Sequence, residues 1–262
     1  MILHLIYFTT LVMRLYITYF LVLILVTSCQ EKKSNKLVIA AAANVQFAMQ
    51  ELADTFYIDT DIKAEIIYGS SGKLFAQIIK GAPYDLFISA NMKYPNQLYK
   101  AGFLDQKPSI YAFGKLVLWT QLKGIEPSIE LLKSDDIKHI AMANPKIAPY
   151  GVATEQLLKR YGIFETIKNK LVYGESISQT NQFIFSGSAE IGFTAMSSVM
   201  SSKIATKGKW VALDTSTYSP IAQGVALIKK ESKNSAQAQE FYRFLFTHKA
   251  QNILHKYGYS TY

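Results

Sequence analysis

The stretch with the clearest chemical potential is YGSSGKLFAQI, residues 68–78, in which two serines lie between two glycines and precede a lysine. It allows three interpretations: a serine nucleophile, a phosphate-binding loop, or hydroxyl groups at the start of a helix. Ser70 and Lys73 match the S-x-x-K motif of acylating serine enzymes, but the S-D-N and K-T-G motifs that accompany it are absent from the sequence. A Walker A loop needs four residues between its glycines, and here there are two. The helix-start interpretation is therefore favoured. A serine acyl-enzyme that uses Ser70 and Lys73 is kept as the alternative of another class.

The histidines and the cysteine show no spacing typical of a metal site. His248 and His255 are seven residues apart near the C-terminus, without a cysteine or carboxylate pattern beside them. The chain has one cysteine, so an internal disulfide is excluded. We therefore expect no cofactor and no catalytic residues.

Composition indicates a globular protein with a basic surface. The chain has 262 residues, half of them apolar, which is enough for one large core or two modest ones. The formal net charge is +9, but the lysines and arginines are scattered along the chain and form no block. This distribution argues against a nucleic-acid partner and is typical of a solvated basic surface.

Residues 1–28 have the layout of a secretory signal, with one arginine, Arg14, followed by an apolar run and small polar residues. The order Val26-Thr27-Ser28-Cys29 resembles a bacterial lipobox, in which the cysteine is lipidated and becomes the new N-terminus. We predict a lipoprotein signal over 1–28, then a lipidated Cys29 and a polar tether over 29–35. An uncleaved transmembrane anchor is the alternative, because the apolar run is long enough to span a bilayer.

The rest of the chain alternates strand and helix patterns, which is typical of a mainly parallel sheet with helices on its faces. Apolar runs predict strands over 36–44, 61–70, 84–91, 113–120, 137–145, 170–176, 189–198 and 224–230. Helical spacing predicts helices over 45–57, 72–81, 149–162 and 178–188, and one or two helices over 235–258. The two halves are similar and no flexible linker separates them. We therefore expect two lobes, with the chain crossing between them in strands.

Four predicted helices begin with a small polar or proline-led segment directly after a strand. These segments are Asn44, Ser70-Ser71, Pro149-Tyr150-Gly151 and Ser176-Ile177-Ser178, with Asn44 standing where an N-cap belongs. The first turn of a helix offers unpaired backbone N–H groups and the positive end of the helix dipole. One such end is explained by capping, but four at the strand ends of two lobes predict an anion site built from neutral donors.

At these residues the sequence resembles the substrate-binding proteins of bacterial molybdate ABC transporters. The resemblance covers about 36–259, and its most specific segment is GAPYDLFISA, residues 81–90. It implies an α/β, two-lobed periplasmic-binding-protein fold of type II, with two crossover strands and a ligand cleft between the lobes. It also implies that one lobe holds 36–112 plus 224–262 and the other 113–223.

The resemblance further implies that a tetrahedral oxyanion is held by hydrogen-bond donors alone. Carried over position by position, its ligands are Ala43, Asn44, Ser71, Tyr150 and the backbone amide of Ile177. If molybdate is counted as a metal, the same residues are its metal ligands.

The sequence departs from the commonest family pattern at three of the relevant positions. Many members have a serine in place of Asn44, a small residue in place of Tyr150, and a tyrosine at the strand end where this chain has Ala195. The Asn44 and Tyr150 combination resembles a second subgroup, in which the Tyr150 hydroxyl would replace the tyrosine missing at 195.

The function implied is therefore that of a solute-binding component of an ABC transporter. It would bind molybdate, and tungstate as well, and deliver the ion to the permease and ATPase complex. The protein is expected to be a monomer in the periplasm or at the outer cell surface, anchored to the membrane by lipidated Cys29. The alternative within the class is a binder of another tetrahedral oxyanion such as sulfate.

Overall fold

The computed structural model describes residues 36–202, 207–229 and 234–261. The predicted signal, Cys29 and tether lie outside the described residues. Residues from Lys36 to Tyr262 form one compact unit. Within the described residues, we find no helix with the length and apolar character that a membrane span requires.

The elements of the first half are β1 (Leu37–Ala42), a 3-10 turn (Ala43–Val45), α1 (Gln46–Thr60), β2 (Ala64–Gly69), α2 (Ser71–Ile79), β3 (Leu86–Ser89), α3 (Lys93–Lys100), β4 (Ser109–Gly114) and β5 (Leu116–Thr120). Those of the second half are β6 (Ile140–Ala143), α4 (Pro149–Arg160), α5 (Phe164–Ile167), β7 (Leu171–Gly174), α6 (Ile177–Phe185), β8 (Ile191–Ala195), α7 (Met196–Val199), β9 (Lys209–Ala212), β10 (Ile221–Leu227), α8 (Ser235–Phe244) and α9 (His248–Lys256). Further 3-10 turns cover Glu130–Lys133, Lys168–Lys170 and Thr215–Thr217.

These strands form two mixed five-stranded sheets. The first has the order β2-β1-β3-β10-β4 and the second has the order β7-β6-β8-β5-β9. In each sheet three strands are parallel neighbours, namely β2, β1 and β3 in the first and β7, β6 and β8 in the second. β10 and β5 pair antiparallel with β3 and β8, and β4 and β9 pair antiparallel with β10 and β5. The predicted two-lobed α/β fold is confirmed.

Each sheet is covered on both faces, because alternate residues of its strands are buried against different helices. In β1, Leu37 and Ile39 pack with α1, α8 and α9, while Ala40 packs with α2 and α3 on the other face. In β5, Leu116 and Leu118 face α4, and the alternate residues face α6. The C-terminal helices therefore complete the core of the first lobe. Phe56 of α1 meets Phe241 of α8 edge to face, with ring centroids 5.0 Å apart.

The chain crosses between the sheets twice. The first crossing is at Lys115, between β4 in the first sheet and β5 in the second. The second covers 213–220, between β9 and β10. In the first sheet β4 thus ends at Gly114, two residues after the predicted lobe limit at 112. β10 begins at Ile221, three residues before the predicted limit at 224.

Several elements differ from the sequence prediction. The run FGKLVLWT, residues 113–120, was predicted as one strand and contains the end of β4 and all of β5. Helices α3 and α5 and strand β9 were not predicted, and α7 begins at Met196, inside the predicted strand 189–198. The C-terminal region, predicted as one or two helices, divides into α8 and α9, because the Thr247 side chain accepts from the Ala250 N–H at 3.3 Å and caps a new helix.

The hydroxyl of Tyr111 in β4 has no hydrogen-bond partner among the described residues, although the side chain is buried. We expect Tyr111→Phe to raise the free energy of unfolding by about 1–3 kcal/mol, because it removes an unpaired buried polar group and keeps the ring. Urea unfolding without ligand measures the change. Tyr257→Phe, which loses a 2.9 Å bond to Glu51, should be destabilised and is the control. A clear loss of stability in Tyr111→Phe would contradict the expectation.

Candidate anion-binding site

A small cavity lies where the carboxyl ends of the parallel strands of the two sheets face each other. Its lining comes from the turn after β1, the start of α2 after β2, the residue after β3, the start of α4 after β6, and the start of α6 after β7. The lining residues are Ala42, Ala43, Asn44, Gly69, Ser70, Ser71, Ala90, Ala148, Pro149, Tyr150, Ser176 and Ile177. All five predicted ligand residues therefore lie at one cavity.

The cavity is small and carries no formal charge. The centre of a water-sized sphere can occupy only about 10 Å³ of it, so the site suits a ligand of a few atoms and excludes a sugar or peptide. Its twelve described lining residues include no acidic or basic side chain. An anion here would be held by backbone N–H groups, hydroxyls and helix dipoles.

The two serines of YGSSGK have different roles in α2. Ser70 is the N-cap, and its Oγ accepts from the Lys73 N–H at 3.4 Å. Ser71 is fully buried, and its Oγ accepts from the Ala90 N–H at 2.9 Å. A hydroxyl that accepts a bond still has its own proton to donate. Ser71 is therefore arranged as a donor toward the cavity, and Ser70 caps the helix.

The prediction that Asn44 is an N-cap was wrong. Asn44 lies inside the 3-10 turn that precedes α1, and that turn has no side-chain cap. Its Nδ2 donates to Gln223 Oε1 at 2.8 Å and to Tyr259 Oη at 2.9 Å. Both amide protons of the side chain are thus used inside the protein. What Asn44 can offer a ligand is its backbone N–H.

The Tyr150 side chain is 2% exposed and reaches from α4 to the crossover. A Cβ at Gly114 would overlap the Tyr150 hydroxyl, so only glycine leaves room for it there. The hydroxyl also lies close to the Asn44 side chain. Burial, together with the neighbouring tyrosines, raises the pKa of Tyr150 well above its usual value, so it keeps its proton at neutral pH. Its backbone N–H lies in the first turn of α4, where Pro149 is the leading residue.

Ile177 begins α6 and is 4% exposed. Its neighbour Ser176 is the N-cap and accepts from the Gln179 N–H at 3.4 Å. The N–H groups of this first turn have no partner within the helix. The geometry therefore fits the predicted role of the Ile177 backbone amide, and that role stays a prediction.

Several contacts join the two lobes around the cavity. The Gly72 N–H donates to the Ile147 carbonyl at 2.9 Å, and Ser178 Oγ donates to Gln46 Oε1 at 2.8 Å. Lys73 pairs with Glu175 at 2.6 Å, with both side chains about half exposed. The structure is thus a closed arrangement of the lobes over the cavity.

The Lys73 contact also argues against the serine acyl-enzyme. That chemistry needs the lysine amine beside the serine hydroxyl to take its proton. Here the Lys73 ammonium is paired with Glu175, and the Ser70 hydroxyl serves as a helix cap. Within the described residues, no cluster of three or more His, Cys, Asp or Glu side chains could hold a metal ion.

Ala195 is the last residue of β8 and is fully buried. Two residues on, Ser197 Oγ donates to the Asn44 carbonyl at 2.5 Å. The second lobe thus reaches the Asn44 turn through Ser197.

Sequence reasoning missed the residues behind the cavity, above all Gln223 and Tyr259. Gln223 was visible as a polar residue in the apolar run IAQGVAL of β10, where a buried amide needs partners. Tyr259 carried no such signal, because its hydrogen bond with Asn44 joins two residues that are 215 positions apart in the sequence.

Comparison with known proteins agrees with this geometry. Residues 37–260 match the family model described as bacterial extracellular solute-binding protein. The chain is 38% identical to the molybdate-binding protein ModA of Azotobacter vinelandii, over 84% of this chain and 88% of that protein. It is 29% identical to a Bacillus subtilis protein provisionally named as an ABC transporter substrate-binding lipoprotein, YvgL, over 89% of this chain and 90% of that protein. The solved structure of the Azotobacter vinelandii periplasmic molybdate-binding protein superposes with a TM-score of 0.82 at 33% identity, covering 87% of this chain and all (100%) of that chain.

Proposed function

Because this chain belongs to the ModA family of bacterial extracellular solute-binding proteins, we propose that it binds molybdate in the cavity between its lobes and supplies it to an ABC transporter. The family consists of solute-binding proteins, in line with the expectation of a binder and not an enzyme. The observation that carries the proposal is the cavity itself, which gathers the first turns of helices from both lobes around a space without charged side chains.

Selectivity among oxyanions follows from a site made of donors. A fully deprotonated dianion can accept a hydrogen bond from every group around it. Hydrogen phosphate carries a proton that needs an acceptor, and an unmatched buried polar group costs about 1–3 kcal/mol. Phosphate is therefore disfavoured. Molybdate and tungstate are nearly the same size, so both are expected to bind, whereas sulfate is smaller and makes poorer contacts.

The proposed partners and location follow from the same family membership. The protein would act outside the cytoplasm as a monomer and present the closed, loaded form to a membrane permease and its ATPase. Anchoring through lipidated Cys29 rests on the Val26–Cys29 lipobox pattern, with residues 29–35 as the tether.

The test is a calorimetric titration of the chain from Gln30 onward with molybdate, tungstate, sulfate and phosphate in turn. We expect tight binding of molybdate and tungstate and weak or no binding of the other two. Preferential binding of sulfate would keep the fold and move the substrate. Failure of all four anions to bind would overturn the proposal.

A further inference from the structure

The C-terminal segment after α9 runs across the hinge between the lobes. Ser260 pairs with Phe113 of β4 through two backbone bonds, of 2.7 and 3.0 Å, one residue before Gly114. Gly258 has a positive φ of 79°, and a Cβ there would lie 2.7 Å from the Met196 side chain of α7. The segment therefore contacts strand β4 of the first sheet and helix α7, which follows strand β8 of the second sheet.

Tyr259, between these two contacts, points its hydroxyl at the Asn44 turn. Its Oη accepts from Asn44 Nδ2 at 2.9 Å. Its proton can go to the Asn44 carbonyl at 3.1 Å or to Ser197 Oγ at 3.2 Å. The side chain is 4% exposed, and burial raises its pKa, so the proton is retained at neutral pH.

Asn44 is therefore held from three elements at once. Gln223 on β10 and Tyr259 accept the two protons of the Asn44 side-chain amide, while Ser197 on α7 donates to the Asn44 backbone carbonyl. None of these three side chains is among the cavity lining. Their contacts orient the turn that lines the cavity, and two of the three come from segments that meet at the hinge.

We propose that Tyr259 is a positioning residue of the anion site, which acts through Asn44 and ties the C-terminal segment into the hinge as a third connection. This inference rests on the proposed function, since it concerns the same cavity. It assigns a role in ligand binding to Tyr259, which is 215 residues from Asn44 in the sequence.

The test compares Tyr259→Phe with Tyr257→Phe. Both variants remove one tyrosine hydroxyl from the same segment, and the Tyr257 hydroxyl bonds Glu51 away from the cavity. We expect Tyr259→Phe to raise the Kd for molybdate roughly tenfold, the effect of one lost buried hydrogen bond. Tyr257→Phe should stay within about twofold of the wild type, although both variants lose some thermal stability.

A purely structural role for Tyr259 is separated by a double-mutant cycle with Asn44→Ala, which keeps the backbone N–H and removes the side chain. If Tyr259 acts through the Asn44 side chain, the loss of affinity caused by Tyr259→Phe should be clearly smaller in the Asn44→Ala background than in the wild type, and what remains reports its bond to the Asn44 backbone carbonyl. An undiminished effect in that background, or none in the wild type, would overturn the inference.

Each variant is also titrated with sulfate. A wild type that binds sulfate and not molybdate would count against the proposed function, and the Tyr259 comparison would then be made with sulfate.

Discussion

Ser71→Ala should weaken molybdate binding by roughly 10- to 100-fold, because it removes one hydrogen bond to a charged ligand, worth about 1.5–3 kcal/mol. The hydroxyl is fully buried at the cavity, it accepts the Ala90 N–H, and its own proton remains available for a ligand. Calorimetry measures the effect directly, and circular dichroism shows whether the variant is folded.

Ser89→Ala is the matched control for this change. Ser89 is also a fully buried serine, at the end of β3, and its hydroxyl accepts the Asn91 N–H at 3.3 Å, one residue from the contact that Ser71 makes. It is not a lining residue of the cavity. Both variants should lose stability, but only Ser71→Ala should lose affinity. Equal affinities in the two variants would remove Ser71 from the site.

The cavity could be predicted because its parts are local. A strand that ends in a small polar segment and continues as a helix is visible within about ten residues, and each of the four segments occupies its predicted place. Ser70 caps α2 and Pro149 leads α4, as their residue types indicate. Local chemistry was therefore enough to locate four of the segments that line the cavity, whereas Ala43 came from the family resemblance and Ala90 after β3 was not named.

The arrangement behind the cavity could not be predicted in the same way. Asn44 has the residue type of an N-cap, and its use as a tie to Gln223 and Tyr259 depends on contacts across 179 and 215 residues. The run FGKLVLWT is mostly apolar, and its hydrophobicity does not show that the chain passes from one sheet to the other at Lys115. Such features are set by topology and not by local sequence.

Gly72→Ala should weaken molybdate binding by roughly 10-fold or more without harming the fold. Gly72 is the point at which the backbone of the first lobe meets that of the second. A Cβ there would lie 2.9 Å from the Ile147 carbonyl oxygen and 3.0 Å from the Ile147 Cα, and the Gly72 N–H bonds that same carbonyl. It would also lie 2.7 Å from the Tyr94 hydroxyl of the first lobe, at the end of a side chain that has to shift in the open and the closed form alike. Overpacking costs about 1–3 kcal/mol, and the part that involves the Ile147 backbone arises only when the lobes close.

The ligand-free variant should keep about its wild-type stability, which separates an effect on closure from an effect on folding. Gly72 lies in the first turn of α2, and alanine is favoured over glycine in helices by about 0.5–1 kcal/mol, a gain that offsets the displacement of the Tyr94 hydroxyl. The ligand-free variant should thus unfold at a nearly unchanged urea concentration, while its compaction on adding molybdate, seen by small-angle scattering, becomes smaller. Lys73→Ala is the control on the next residue, because it removes only the half-exposed pair with Glu175 and should cost less than about 1 kcal/mol of binding. A ligand shifts the closure equilibrium only by its preference for the closed form, so a clash in that form should weaken binding. Wild-type affinity and compaction in Gly72→Ala would therefore show that the two lobes need not approach this closely.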